Sequence, residues 1–263
     1  MLDKVIASRL ERKMSKGRTS PCLITCERDQ EDIELVVKFS AGCFEKEKNL
    51  VIEAIAAMLG ADLGLPVPEP FLVEVDDAFI NSVGSPELQQ LIQASNRLAF
   101  GSRKLPDGFA VWPHNGRVPA ALTQTAAEVF VFDAIIVNSD RRPENPNCLH
   151  TGEAVSIFDH ELSFASQQVL FWKAPWLEGG FDNISLSSNH IFAPSNFDIK
   201  PTNLERFKSS WESIPESRFQ EYCEAIPFEW GDHDSYLEDT VKYLKQVKSN
   251  ISEIVTRGLE KLS

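Results

Sequence analysis

The stretch TQTAAEVFVFDAIIVNSDRRPENPN, residues 123–147, decides the reading of the fold. Its first part, 123–138, is apolar on most positions and predicts a buried helix. That helix runs directly into a polar loop in which Asn145 follows Asp140 by five residues. A loop held by such a helix can fix both side chains at a crevice. Fourteen residues beyond Asn145, the segment SIFDHELSF (156–164) places Asp159 at the end of an apolar strand. Upstream, VVKFS (36–40) sets Lys38 in a strand, and Glu53 falls on the helix that follows. Strand lysine, helical glutamate, Asp-x-x-x-x-Asn loop and strand-end aspartate, in that order, can hold a nucleotide triphosphate with its metal ions and orient a hydroxyl for attack.

Each residue also has a plainer reading. Asp140 and Asn145 suit turns, Asp159 suits a solvent-facing strand end, and Lys38 and Glu53 suit a sheet edge and a helix surface. Order and spacing carry the functional reading, not any one motif. On that reading Asp140 accepts the proton of the attacking hydroxyl. Asn145 offers its side-chain oxygen to Mg2+, with Asn147 as the competing amide, and Asp159 is the main metal ligand. Lys38 lies among Val36, Val37 and Phe39, so a buried ammonium there needs a partner, and Glu53 is the natural one.

The 263 residues are 43% hydrophobic, enough for a sizeable core in one domain or two packed lobes. The net charge of −13 argues against general nucleic-acid binding, which needs a basic face. The longest apolar runs are too short for a bilayer span. The mixed-charge start MLDKVIASRLERKMSKG lacks the apolar block of a secretory signal, so a cytoplasmic location is expected. Five cysteines without a Cys-x-x-Cys pair read as reduced structural thiols.

Along the chain, residues 3–14 read as a short amphipathic helix using Val5, Ile6, Leu10 and Met14. CLITCE (22–27) and IELVVKFS (33–40) read as a hairpin, and 45–63 as a helix with one apolar side that GLPVPEP stops. FLVEV (71–75) and RLAF (97–100) are strand candidates flanking a helix at 86–94, and GSRKLPDG is an exposed crossing. Short strands follow the polar loop, and an apolar stripe from Leu237 to Leu262 predicts a helical end. The β-rich first part and α-rich second part suit two lobes around a cleft, with the boundary at 101/102.

The segment DRRPEN resembles the catalytic loop of protein kinases, and the chain as a whole resembles the HipA-like kinases, most usably over residues 15–165. The resemblance implies an α+β, bilobal protein-kinase-like fold, related in layout to phosphatidylinositol kinases. The β-rich N-lobe would be 1–101 and the mainly helical C-lobe 102–263. It implies that Asp140 is the catalytic aspartate, Asn145 and Asp159 are the metal ligands, Lys38 is the nucleotide lysine and Glu53 its helix partner. Arg142 takes the basic slot of the loop, where it can meet the transferring phosphate; Arg141 is either functional or a structural anchor. The cofactors implied are ATP and Mg2+. No G-x-G-x-x-G is present, which leaves Gly17 and Ser20 in GRTSP as the phosphate-lid candidates. The adenine hinge is expected near Phe100, Gly101 and Ser102 through backbone groups. Asn138 and Ser139 stand where protein kinases carry His-Arg, and His160 and Glu161 stand where they carry Phe-Gly. The extra N-terminal subdomain of longer relatives is not recognisable, so no antitoxin partner is implied.

Phe171, Trp172, Trp176 and Phe181 form either a substrate-docking surface or core. The expected function is an ATP-dependent protein serine/threonine kinase. The alternatives are a small-molecule or lipid-headgroup kinase and a catalytically silent nucleotide- or protein-binding module.

Overall fold

Period-two burial in the amino-terminal strands builds a closed barrel. The computed structural model describes residues 2–15, 17–164, 172–182 and 189–263. Its strands are β1 (Asp3–Lys13), β2 (Cys22–Arg28), β3 (Glu31–Lys38), β4 (Pro70–Glu74) and β5 (Leu98–Arg103), closed in the order β1-β2-β3-β5-β4. Cys22, Ile24 and Cys26 of β2 and Leu35 and Val37 of β3 fill the interior with Phe71 and Val73. Because side chains alternate across a strand, the pattern that sends Val37 inward sends Lys38 to the other face.

The amphipathic helix expected at 3–14 is instead strand β1. Val5 and Ala7 are buried two residues apart, whereas Ile6 is half exposed. The register against β2 shifts between Ala7 and Arg9 and again between Leu10 and Arg12. Each irregularity resets the alternation, so the apolar residues fall at mixed spacings that imitate a helical period. β1 also pairs in parallel with β4, and backbone pairing on both edges outweighs the local pattern.

The 22–40 hairpin is present as β2 and β3. Helix α1 (Glu47–Asp62) follows and is buried on all sides from Asn49 to Gly60, not along one face. It lies between the barrel and the carboxy-terminal helices and joins the larger apolar core. Helices α2 (Asp77–Ser82) and α3 (Pro86–Gln93) begin at side-chain caps from Asp76 and Ser85 and lend Phe79, Ile80, Leu88 and Ile92 to the barrel core. Strand β5 runs on through Arg103, so the crossing begins later than GSRKLPDG suggested.

Helix α4 (Thr123–Ile135) is the buried helix expected from 123–138, ending three residues sooner. The polar loop then leads to a small sheet of β6 (Ala110–Val111), β7 (Cys148–His150) and β8 (Val155–Ile157). Helices α5 (Glu205–Ser213), α6 (Glu216–Glu224), α7 (Asp234–Ser249) and α8 (Ile251–Leu262) complete the helical part; the stripe from Leu237 to Leu262 breaks at Asn250. The result is a mixed α/β chain, strand-rich at its start and helical at its end. Among the described residues, no helix is long and apolar enough to cross a membrane.

The β1–β2 loop packs on the short 3-10 turn Ser40–Gly42 just after Lys38. A Cβ built on Gly42 would lie 2.4 Å from the Thr19 carbonyl oxygen. Gly42→Ala is therefore expected to lower stability by about 1–3 kcal/mol, read as a reduced urea midpoint with unchanged slope; an unchanged midpoint would mean that the loop does not rest there.

Candidate active site

A buried ammonium gathers the site. Lys38 has an 11% exposed side chain, and Glu53 on α1 is 2% exposed, with Nζ and Oε2 3.0 Å apart. The same Nζ donates to Oδ1 of Asp159 and, at 3.1 Å, to Oε2 of Glu161. Burial alone would lower the Lys38 pKa, but Asp159, Glu53 and Glu161 together raise it well above 10.5. Burial works against the Glu53 carboxylate too, yet Lys38 and His160 bring its pKa down to about 2. Glu161 shifts the other way: burial, reinforced by Asp159 and Glu53, outweighs Lys38 and raises its pKa.

Strand β8 ends at Ile157, so Asp159 lies two residues past it, just before the turn that Ser163 N closes on the His160 carbonyl. Its φ of +62° is a left-handed conformation that aspartate tolerates better than most residues. The turn is docked on α1 by buried Asn49, whose side-chain nitrogen donates to the Glu161 carbonyl at 2.7 Å. Glu53, Asp159 and Glu161 each offer a carboxylate oxygen within 4.8 Å of the others. These are hard oxygen donors, of the kind that suits a magnesium ion.

The polar loop after α4 is organised by a second buried charge. Arg141 is fully buried and donates from Nε to Oδ2 of Asp133 at 2.6 Å and from Nη2 to Oδ1 at 3.2 Å. Its remaining donors reach the Asn147 and Phe158 carbonyls and Nε2 of His160 at 3.0 Å. Asp133, also fully buried, accepts from Asn138 at 2.8 Å and faces His190 Nε2 at 2.9 Å. Burial opposes its charge, but Arg141 and His190 hold its carboxyl well below 3.8. His190 itself is shifted down by burial. Of the two readings open for Arg141, the anchor is the one the contacts describe.

Asp140 stands at the centre of this loop. Its Oδ1 accepts from Arg142 Nη2 at 2.9 Å, and its Oδ2 accepts from the amide nitrogens of Asn145 at 2.7 Å and Asn147 at 3.3 Å. With its nitrogen so used, Asn145 keeps its side-chain oxygen as the atom available to a cation. Asn147 is the more buried amide, and its backbone carbonyl accepts from Phe158 N at 3.1 Å, one residue before Asp159. Asp140 and Asp159 are thus joined through Asn147 and Phe158.

The other expected positions are dispersed. Gly17 (φ +110°) and Ser20 (φ +53°) shape the β1–β2 hairpin loop, which meets the segment after Lys38 rather than the lysine itself. Phe100 and Ser102 lie within β5, which pairs with β3 on one side and β4 on the other. The backbone there is committed to the sheet, so the expected open hinge backbone is not at 100–102. Phe181 is buried in the core and stacks on Phe130; Trp176 is half-buried against that core, and half-buried Trp172 packs with it on Tyr243. Phe171 lies outside the described residues.

Sequence reasoning did not single out Asn49 or Asp133, and it treated Glu161 only as a departure from a motif. Asp133 carried a readable signal, a carboxylate inside the apolar run VFVFDAIIV.

The family model described as HipA-like kinase matches residues 7–259. A similar solved structure is that of the Helicobacter pylori proinflammatory kinase CtkA, at 14% identity and a TM-score of 0.55, covering 98% of this chain and 96% of that one. At that identity the likeness concerns the fold. No curated protein matches the sequence.

Replacing Asp133 by Asn leaves the Arg141 charge buried without its counter-ion and is expected to cost about 3–5 kcal/mol. A carboxyl with a depressed folded-state pKa contributes fully above its unfolded value and loses that contribution as pH falls below it. The difference between wild type and Asp133→Asn should therefore be whole at neutral pH and shrink as pH drops below about 3.8. Denaturant titrations across pH check this; a difference that does not vary with pH would contradict it.

Proposed function

This chain belongs to the HipA-like kinase family, and from that premise we propose that it is an ATP-dependent kinase that phosphorylates a serine or threonine hydroxyl of a protein. One observation carries the reading. Lys38 and Asp159, 121 residues apart in sequence, meet at one ammonium with Glu53 behind it.

In this proposal the fold acts as two lobes, 1–101 and 102–263, with the nucleotide between them. Lys38 turns its ammonium to the phosphates, and Glu53 holds it from α1. Asp159 and the Asn145 side-chain oxygen hold Mg2+. The metal supplies charge neutralisation for the phosphate oxygens when bound. Asp140 takes the proton of the acceptor hydroxyl as that oxygen bonds to the γ-phosphorus and the β–γ bridging oxygen leaves with ADP. Arg142 and the two amides keep the Asp140 carboxylate oriented, and Arg142 is 39% exposed at its side chain, open enough to approach the transferring group. The Gly17–Ser20 loop, which rests on the segment just after Lys38, would have to shift toward the lysine to cover the phosphates. Adenine is received by the segment that follows Arg103, since Phe100 and Ser102 are committed to the sheet.

Labelled ATP with Mg2+ tests the assignment. Asp140→Asn should retain thermal stabilisation by MgATP but lose roughly a hundredfold to ten-thousandfold in phosphotransfer. Asp159→Asn should lose both. Wild-type transfer by both variants would remove the site assignment, and nucleotide binding without any transfer by the wild type would favour the silent module.

A further inference from the structure

The Lys38 cluster carries more negative charge than its ammonium can balance: one lysine faces Glu53, Asp159 and Glu161. The three carboxylates are not equivalent. Glu53 is 2% exposed and sits behind the lysine on α1, with its other oxygen 3.6 Å from Nδ1 of His160. Asp159 is the residue the kinase reading assigns to the metal. Glu161 lends an oxygen to the same cluster, but that reading gives it neither role. Its side chain is 16% exposed, and among the described residues its carboxylate has one polar partner, Lys38. Its backbone is held independently, through the Asn49 side chain and the turn closed by Ser163 N on the His160 carbonyl at 2.9 Å. The carboxylate can therefore swing away without unseating the turn.

We propose that Glu161 is an internal stand-in for a nucleotide phosphate: it takes a place on the Lys38 ammonium and must be displaced when ATP binds. This rests on the kinase reading above and adds a determinant of nucleotide affinity to it. A triphosphate reaching Lys38 meets a carboxylate already on the same donor and repelled by two others, so one anion has to give way. Glu53 is also held by His160, and Asp159 is kept by the metal role the kinase reading gives it, which leaves Glu161, whose departure breaks only its bond to Lys38. Self-competition of this kind lowers apparent affinity by the fraction of molecules in which the lysine is taken. Glu161 is accordingly a positioning residue, acting through Lys38.

The test is a gain of affinity, which loss of structure does not produce. Binding of a non-hydrolysable ATP analogue with Mg2+ is measured by calorimetry for the wild type and Glu161→Gln. The variant is expected to bind about three- to tenfold more tightly. The gain should vanish in a Lys38→Met background, because the competition runs through that ammonium. Should Glu161→Gln be unstable, Glu161→Ala, which keeps the Asn49 anchor to the backbone, must show the same gain. Equal or weaker binding by the folded variant overturns the proposal; weaker binding would make Glu161 a ligand instead of a competitor. A wild type that binds no nucleotide would overturn the kinase reading itself, so the two failures are told apart by the wild-type titration.

Discussion

An ammonium taken out of water must be met by charge, and that requirement at Lys38 organises this protein. Its partners come from α1 and from the turn after β8, so three segments distant in sequence are tied at one nitrogen. The tie does not stop there. His160 stands between Glu53 and Arg141, and Arg141 in turn reaches Asp133 and the Asn147 and Phe158 carbonyls on either side of the β7–β8 hairpin. A line of buried polar groups therefore runs from the barrel strand β3 to the centre of the helical part. Apolar packing supplies the bulk of the core, but these groups set the register of the loop that carries Asp140. Each link is valuable chiefly because breaking it strands a charge, which makes the geometry specific without making it strongly stabilising.

Much of this was legible in the sequence, and the gaps have physical causes. Lys38 and Asp159 could be named because a charged residue inside an apolar strand or at its end is conspicuous, and Glu53 as the partner that a buried Lys38 needs from the next helix; the structure does bring them together. The Asp140–Asn145 loop could be named because a buried helix runs into it, and the two side chains do touch. Strand β1 was not legible: two register shifts break its alternation, and its partner β4 lies about sixty residues away in sequence, beyond any local pattern. The committed backbone of Phe100 and Ser102 depended on β5 lying between two other strands, a fact of topology. Glu161 and Asn49 were hidden for a related reason. Neither has an unusual neighbourhood in sequence, and their roles exist only where the turn meets α1.

Family membership and the local geometry bear on different questions. The match over nearly the whole chain makes this a HipA-like kinase and accounts for the order of elements. It does not choose an acceptor, and the similar fold of the Helicobacter pylori kinase at 14% identity adds no residue roles. Where protein kinases carry Phe-Gly after the metal-candidate aspartate, this chain has His160, joined to the buried network, and Glu161, facing the lysine. The turn is thereby pinned at its base and adjustable at its tip, a division that a nucleotide-binding crevice can exploit.

The most direct measurement is a crystal structure of the full chain with Mg2+ and a non-hydrolysable ATP analogue. The metal is expected on Asp159 and the Asn145 oxygen, Lys38 on a phosphate oxygen with Glu53 still paired to it, and Asp140 facing the γ-phosphate. A nucleotide bound elsewhere, with Lys38 still clasped by Asp159 and Glu161, would contradict that arrangement.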